Sequence, residues 1–328
     1  MLGLLTAYRI LPMAKESFLL HPNFFESVPL GNSVTAKLLD QRVTETLVDD
    51  PSNDPSVSVV IRAFNEAATL ALLFEDIDNQ LFSSEVEVVV VDNGSTDRTA
   101  QVAKHHGAEV VTLPQRSFTY PKSLNVGVEA ASNDLVFVTV AHARLTSIHN
   151  LHAGARHFSR NTDTAGAFGT CLPNENASYV EKWSTTAINL TMARRPRRIK
   201  KAGIGVLAAN CAMIAKRAWQ ELGGFDERYQ AGGEDAALAK SMLENGYGVV
   251  KEPALAVHHS HGLGLRDSAK QLAHWLQILG PPREFNRQEL LKRRPDLRTN
   301  TSASRGPTVD HERLLSMQSC QPDNGSSG

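Results

Sequence analysis

The chain has 328 residues, is 41% hydrophobic and carries a formal net charge of −1. That length buries a full core and suits one domain with appendages, and the near-neutral balance excludes a general nucleic-acid binder. Three widely spaced cysteines, Cys171, Cys211 and Cys320, argue against a disulfide scaffold or a zinc cluster and fit a reducing compartment. No apolar run reaches the length of a membrane span. The N-terminal MLGLLTAYRILPMAK is interrupted by Arg9 and Pro12 and lacks an obvious small-residue cleavage site, so it reads as a core-packing arm, or else a short interfacial or docking segment, rather than a secretion signal.

In chain order, residues 1–54 read as an N-terminal arm and linker that closes on Asp49-Asp50-Pro51-Ser52-Asn53-Asp54-Pro55. From residue 55 onward, short apolar runs alternate with helical periodicity. Strands are predicted at 57–62, 86–92, 109–113, 134–141, 164–171, 206–214 and 254–260. Helices are predicted at 66–79, 96–105, 121–131, 147–158, 176–193 and 233–245. This alternation predicts an α/β domain over 55–262, a mainly parallel sheet flanked by helices. A helical extension is predicted over 263–295, with Leu272, Trp275, Leu276 and Leu279 on one face. Residues 296–328, rich in Ser, Asn, Asp and Pro, read as a disordered tail.

Several polar groups stand where such a sheet would bind ligands. Runs rich in Val and Ile suit strands buried on both faces, and ligands bind outside the carboxyl ends of parallel strands. The first strand ends in Arg62, Asn65 and Glu66, and the second in Asp92, Asn93, Gly94, Ser95 and Asp97. Ser95 or Thr96 would also serve as a helix N-cap. No Gly-x-Gly-x-x-Gly turn follows either strand, which argues against a dehydrogenase. Gly232-Gly233-Glu234-Asp235 precedes an apolar helix, whose dipole favours a carboxylate at its start. In His258-His259-Ser260-His261, strand geometry puts His259 and His261 on one face, where they can share a ligand. Six of the eight residues Arg194–Lys201 are basic; they suit an anionic acceptor or an anionic membrane face, or form a solvated loop.

The order of these residues resembles the inverting family 2 glycosyltransferases, whose fold is called GT-A. The resemblance runs from about Val57 to about His261. It implies that Ala63–Glu66 and Asp92–Ser95 hold the nucleotide of a sugar nucleotide, with Asp92 on the pyrimidine. It implies that Asp235 is the general base and that Glu234 helps place the acceptor, and it puts Asn210 in the sugar pocket. Arg62, Asn65, Glu66, Asp92, Asn93, Ser95, Lys122, Asn125 and Asn210 are the expected donor-binding set. The family's Asp-x-Asp metal motif falls on Val140-Ala141-His142, so both carboxylates are missing. A rhamnosyltransferase-like branch carries Ser-Ala-His there, and Arg116–Asn125 also resembles that branch. His142 with His259 or His261 is then the expected metal set, better suited to Mn²⁺ than to Mg²⁺; alternatively, a protonated His142 neutralises the diphosphate.

The resemblance implies a cytoplasmic enzyme, at the inner face of the membrane if the basic segment docks there. Its donor would be a nucleotide-diphosphate sugar such as dTDP-rhamnose, and its acceptor a saccharide or lipid-linked saccharide. The competing reading is a non-catalytic sugar-nucleotide-binding module with a degenerate metal motif; the intact Glu234-Asp235 pair argues against it. A nucleotidyltransferase would be expected to show a Gly-rich phosphate loop with a Lys after the first strand, and none is present.

Overall fold

The structure is a computed structural model. It describes residues 54–261 apart from 175–176, 180, 183–194, 204 and 231, together with 266, 267, 269–271 and 273. The elements are β1 (Val57–Ala63), α1 (Ala67–Asp78), β2 (Val86–Asp92), α2 (Thr99–His105), β3 (Glu109–Thr112), α3 (Tyr120–Ala130), β4 (Leu135–Val140), β5 (Arg144–Leu145), α4 (Asn150–Arg160), β6 (Thr164–Leu172), β7 (Arg197–Arg198), β8 (Ala212–Ala215), α5 (Lys216–Glu221), α6 (Glu234–Glu244) and β9 (Gly248–His258).

One sheet runs in the order β3-β2-β1-β4-β8-β6-β9-β5, with β7 paired to β9. The first four strands in that order are parallel. β8 is antiparallel to β4 and to β6, and β6 and β9 are parallel. Alternate side chains on a strand face opposite sides, and β1 shows the result. Val57, Val59, Ile61 and Ala63 join a core with Leu70, Leu73, Phe74 and Ile77 of α1 and with Leu151 and Ala155 of α4. Val60 joins a second core with Leu124 and Val128 of α3, Trp219 of α5, and Leu238 and Met242 of α6. β1 is therefore buried on both faces, as its Val-rich run requires. The carboxyl ends of β1, β2 and β4 lie side by side, because Ala63 pairs with Asp92 and Arg62 with Val140.

Two predicted strands differ in extent. Residues 206–211 form turns, and only Ala212–Ala215 are strand. Leu207 has φ 56° and is buried against Gly166, so its apolar character serves packing rather than pairing. β9 begins at Gly248 rather than at 254. Its polar start is buried with its charges satisfied: Lys251 Nζ donates to the Gly169 carbonyl at 2.7 Å, and Glu252 accepts from Arg156 at 2.9 Å and His157 at 2.7 Å. The predicted helix over 176–193 and the C-terminal extension lie mostly outside the described residues.

The β6–β9 pairing slips between Phe168 and Thr170. Gly169 sits at this slip, where a Cβ would run into the Leu255 carbonyl oxygen and the Cys211 Sγ. The obstructing carbonyl belongs to the sheet and cannot swing aside. Gly169→Ala should therefore destabilise the fold by about 3 kcal/mol or more, the upper range for overpacking. A thermal-unfolding midpoint equal to wild type would contradict this.

Candidate active site

The ends of β1 and β2 are clipped together by their own polar side chains. Asn65 adopts φ 55°, a left-handed conformation that Asn tolerates better than most residues. Its N–H donates to Ser95 Oγ at 2.9 Å, and its Oδ1 accepts from the N–H groups of Thr96 at 2.7 Å and Asp97 at 3.3 Å. Asn93 is buried; its side chain donates to the Ala63 carbonyl at 3.1 Å and accepts from Ser123 Oγ at 2.9 Å. Asn65, Asn93 and Ser95 thus build the floor of the site and tie it to α3. Lys122 lies in the first turn of that helix, its N–H capped by Thr119 Oγ1 at 3.3 Å. Asn125, one turn on, exchanges hydrogen bonds with the Phe225 backbone at 2.8 and 2.9 Å.

Asp92 is buried at the end of β2, and its Oδ1 accepts from the Ser95 N–H at 3.0 Å. If this carboxylate holds a pyrimidine ring, Asp92→Ala should weaken nucleotide binding by about 1.5–3 kcal/mol, the worth of a hydrogen bond to a charged group. Turnover at saturating donor should change much less. Unchanged affinity for uridine and thymidine nucleotides would reduce Asp92 to a loop cap.

Three histidines converge beside this floor. His142 follows β4, and His259 and His261 follow β9. One ligand atom from each can be chosen so that all lie within 4.8 Å of one another. His142 Nε2 is 3.0 Å from His259 Nε2, and the Glu66 carboxylate is hydrogen-bonded to His142 Nδ1. Asn210 Nδ2 is 3.3 Å from His259 Nδ1, and the Glu181 carboxylate accepts from the His261 N–H at 2.9 Å. His258 faces away, with Nδ1 donating to the Pro173 carbonyl at 2.9 Å. Three imidazoles form a donor set for Mn²⁺, Co²⁺ or Zn²⁺ rather than Mg²⁺. A carboxylate on the far nitrogen of one of them is the usual support of a ligating histidine. The residues present therefore fit a transition-metal ion.

The carboxylate pair stands at the start of α6. Gly232 and Gly233 have φ 113° and 103°, a region L side chains rarely adopt, and they turn the chain into the helix. Glu234 is buried, and its Oε2 has no hydrogen-bond partner among the described residues. Burial, aided by the neighbouring Asp235 charge, pushes Glu234 up to about 8 against the pull of Arg62. Asp235 is half-buried and accepts from the Ala236 N–H at 2.7 Å. Burial pushes it up to about 6, opposed by backbone N–H groups of Ala236 and Ala209 and by Arg62. Arg62 lies 5.6 Å over the Tyr120 ring, and its buried Nε has no hydrogen-bond partner among the described residues. The adjacent residues Ala209 and Asn210 join the two halves, one beside Asp235 and the other on His259.

Sequence reasoning named these residues but not all of their neighbours. It expected Glu66 and Asn210 on the donor; in the structure each is hydrogen-bonded to a histidine of the cluster. The pairing of β1 with β4 carries that signal, since it brings the residues after both strands together. Tyr120 under Arg62 had no sequence signature. The described part of the basic segment, Arg195–Lys201, borders β9, with Arg197 opposite Lys251 and Arg198 hydrogen-bonded to Asp163 at 2.7 Å. Lys251 pairs with Phe168, and the site end of β9 at His258 pairs with Leu172. Arg197 therefore stands about 13 Å along β6 from the level of His258.

Comparison with known proteins decides the family. Residues 58–223, just over half of the chain, match the model of "Glycosyl transferase family 2". The chain belongs to this family. This family 2 protein is 27% identical to the beta-monoglucosyldiacylglycerol synthase of Nostoc sp. over 180 residues, 53% of this chain but only 38% of that enzyme. It is also 27% identical to the N-acetylglucosaminyl-diphospho-decaprenol L-rhamnosyltransferase of Mycobacterium tuberculosis over 232 residues, 57% of this chain and 71% of that one. Among solved structures it resembles the mannosyltransferase PcManGT of Pyrobaculum calidifontis in complex with GDP-Man and Mn²⁺. The TM-score is 0.53 at 17% identity, covering 80% of this chain and 75% of that one. The fold of this family 2 chain is GT-A. Among the described residues, no helix is long and apolar enough to cross a membrane.

Proposed function

We propose that this protein is an inverting glycosyltransferase that moves a sugar from a nucleotide-diphosphate donor to the hydroxyl of a saccharide or lipid-linked acceptor. The reading rests above all on one juxtaposition: the raised carboxylate of Asp235 and the three-histidine cluster meet across Ala209 and Asn210. Inversion needs a base on the face of the sugar opposite the leaving diphosphate. Asp235 takes the proton of the attacking hydroxyl. Glu234, held protonated by burial, donates a hydrogen bond to the acceptor. The clipped ends of β1 and β2 hold the nucleotide, with Asp92 on the base and Lys122 toward the phosphates. His142, His259 and His261 would hold a divalent ion, Mn²⁺ in preference to Mg²⁺. When bound, it would neutralise the leaving diphosphate.

Similarity to a rhamnosyltransferase supports dTDP-rhamnose as the donor. The basic segment Arg194–Lys201 would meet an anionic membrane face, placing the protein at the cytoplasmic side. Titration calorimetry with UDP-, GDP- and dTDP-sugars, with and without Mn²⁺, tests this. The proposal expects one donor to bind, more tightly with Mn²⁺. Failure of every sugar nucleotide to bind would overturn it. Binding without any transfer or slow donor hydrolysis would instead favour a non-catalytic binding module.

A further inference from the structure

The contacts around the histidine cluster form one chain in which each proton has a place. The Glu66 carboxylate accepts only, so His142 Nδ1 carries the hydrogen that bonds it. A neutral His142 then presents a lone pair at Nε2. His259 Nε2 lies 3.0 Å from that lone pair, so it must be the donor. Its Nδ1 is then an acceptor, and Asn210 Nδ2, 3.3 Å away, is placed to donate to it. The chain reads carboxylate, His142, His259, amide, with every hydrogen pointing toward Glu66. At the far end, the buried Asn210 Oδ1 has no hydrogen-bond partner among the described residues.

This arrangement readies His142 for a cation and leaves His259 closed to one. An imidazole ligates through an unprotonated nitrogen, and His259 Nε2 holds a hydrogen. To face an ion beside His142, His259 must carry its hydrogen on Nδ1 instead. Asn210 can meet that hydrogen only by turning its amide over, so that Oδ1 replaces Nδ2. No net proton is gained or lost in the exchange; one leaves Nε2 to solvent and one returns to Nδ1.

We propose that Glu66 and Asn210 are positioning residues for the histidine cluster, Glu66 fixing His142 as a ready ligand and Asn210 gating His259 by amide reversal. The proposal rests on the reading that the cluster holds a divalent cation. It gives the two residues opposite signatures. Glu66→Gln removes the charged acceptor and should weaken ion binding about 10- to 100-fold, the usual cost of losing a supporting partner. Asn210→Asp can only accept, so it holds the hydrogen on His259 Nδ1 beforehand, and binding should be tighter than wild type.

Two readouts on the full chain test this. One is titration with Co²⁺, followed by its visible absorption and repeated with Mn²⁺ by calorimetry. The other is long-range ¹H–¹⁵N NMR of the imidazoles at pH 8 without metal, which reports the tautomers directly. We expect His142 as the Nδ1–H form, and His259 as the Nε2–H form in wild type but protonated at Nδ1 in Asn210→Asp. Thermal melts of the ion-free variants should match wild type, which separates positioning from misfolding. Glu66→Gln binding Co²⁺ as wild type does, or His142 found as the Nε2–H form, would overturn the proposal. Wild type that binds neither ion but shows the expected tautomers would overturn the cation reading of the site. Glu66 and Asn210 would then stand as positioning residues on the NMR alone.

Discussion

Asp235→Asn is expected to lower turnover by about 10²–10⁴-fold, the usual worth of a general base, while donor affinity stays near wild type. The amide keeps the shape and the bond to the Ala236 N–H but cannot take a proton. The pH profile adds a second signature. Burial pushes Asp235 up to about 6, and the base works deprotonated. Activity should therefore decline above about 8, where Glu234 loses the proton it donates to the acceptor, and should fall along an acid limb as the pH drops through about 6. That limb belongs to the Glu234–Asp235 pair rather than to one residue, and it should vanish from the residual activity of the variant. Stability should move the other way. A carboxylate whose folded pKa lies above its unfolded value binds its proton more tightly when folded, so stability declines as pH rises through that value. Near pH 7 the charge of Asp235 is held at a cost to the fold, and Asp235→Asn should melt no lower than wild type. Transfer within a few-fold of wild type would remove Asp235 from the role of base.

His142→Ala is expected to lower kcat/KM for the donor by about 10²–10³-fold, the scale of losing one group that stabilises leaving-group charge. The acceptor KM should change little. His142 touches both Glu66 and His259, so its removal leaves the cluster without its middle member. A chelator should abolish wild-type activity, Mn²⁺ should restore it, and Mg²⁺ should do so poorly because three imidazoles suit it badly. Activity unaffected by chelator but still lost in His142→Ala would mean that a protonated histidine carries the diphosphate charge without metal. Full activity of His142→Ala together with strong Mg²⁺ dependence would contradict both routes.

The half built on β1, β2, β3 and β4 was the more legible part of the sequence. Its inner strands β1 and β4 are buried almost throughout, so Val-rich runs mark them, and the polar residues at Arg62 and Asp92 mark the mouth of the site. The helix at Glu234 was legible because two glycines and two carboxylates announce its start. The second half hid its strands for physical reasons. β9 carries Lys251, Glu252 and Pro253 in its first half, which read as a loop until Gly169, Arg156 and His157 satisfy the two charges from elsewhere in the chain. Val206 and Leu207 read as strand because they are apolar, but Leu207 packs from a turn with a positive φ. β5 and β7 are two residues long, too short for any periodicity. At the site, the residue types were legible and the partners were not. That Glu66 meets His142 and Asn210 meets His259 depends on which strands are neighbours, and pairing partners 76 and 49 residues apart leave no local trace.

The most direct test of the account is release of nucleoside diphosphate by the purified protein from a panel of UDP-, GDP- and dTDP-sugars with Mn²⁺, run beside Asp235→Asn. With water as a poor substitute acceptor, the account predicts slow release from one donor, dTDP-rhamnose first among them, and release from the variant reduced by about two orders of magnitude or more. Equal release by wild type and Asp235→Asn, or none from any donor that binds, would contradict it.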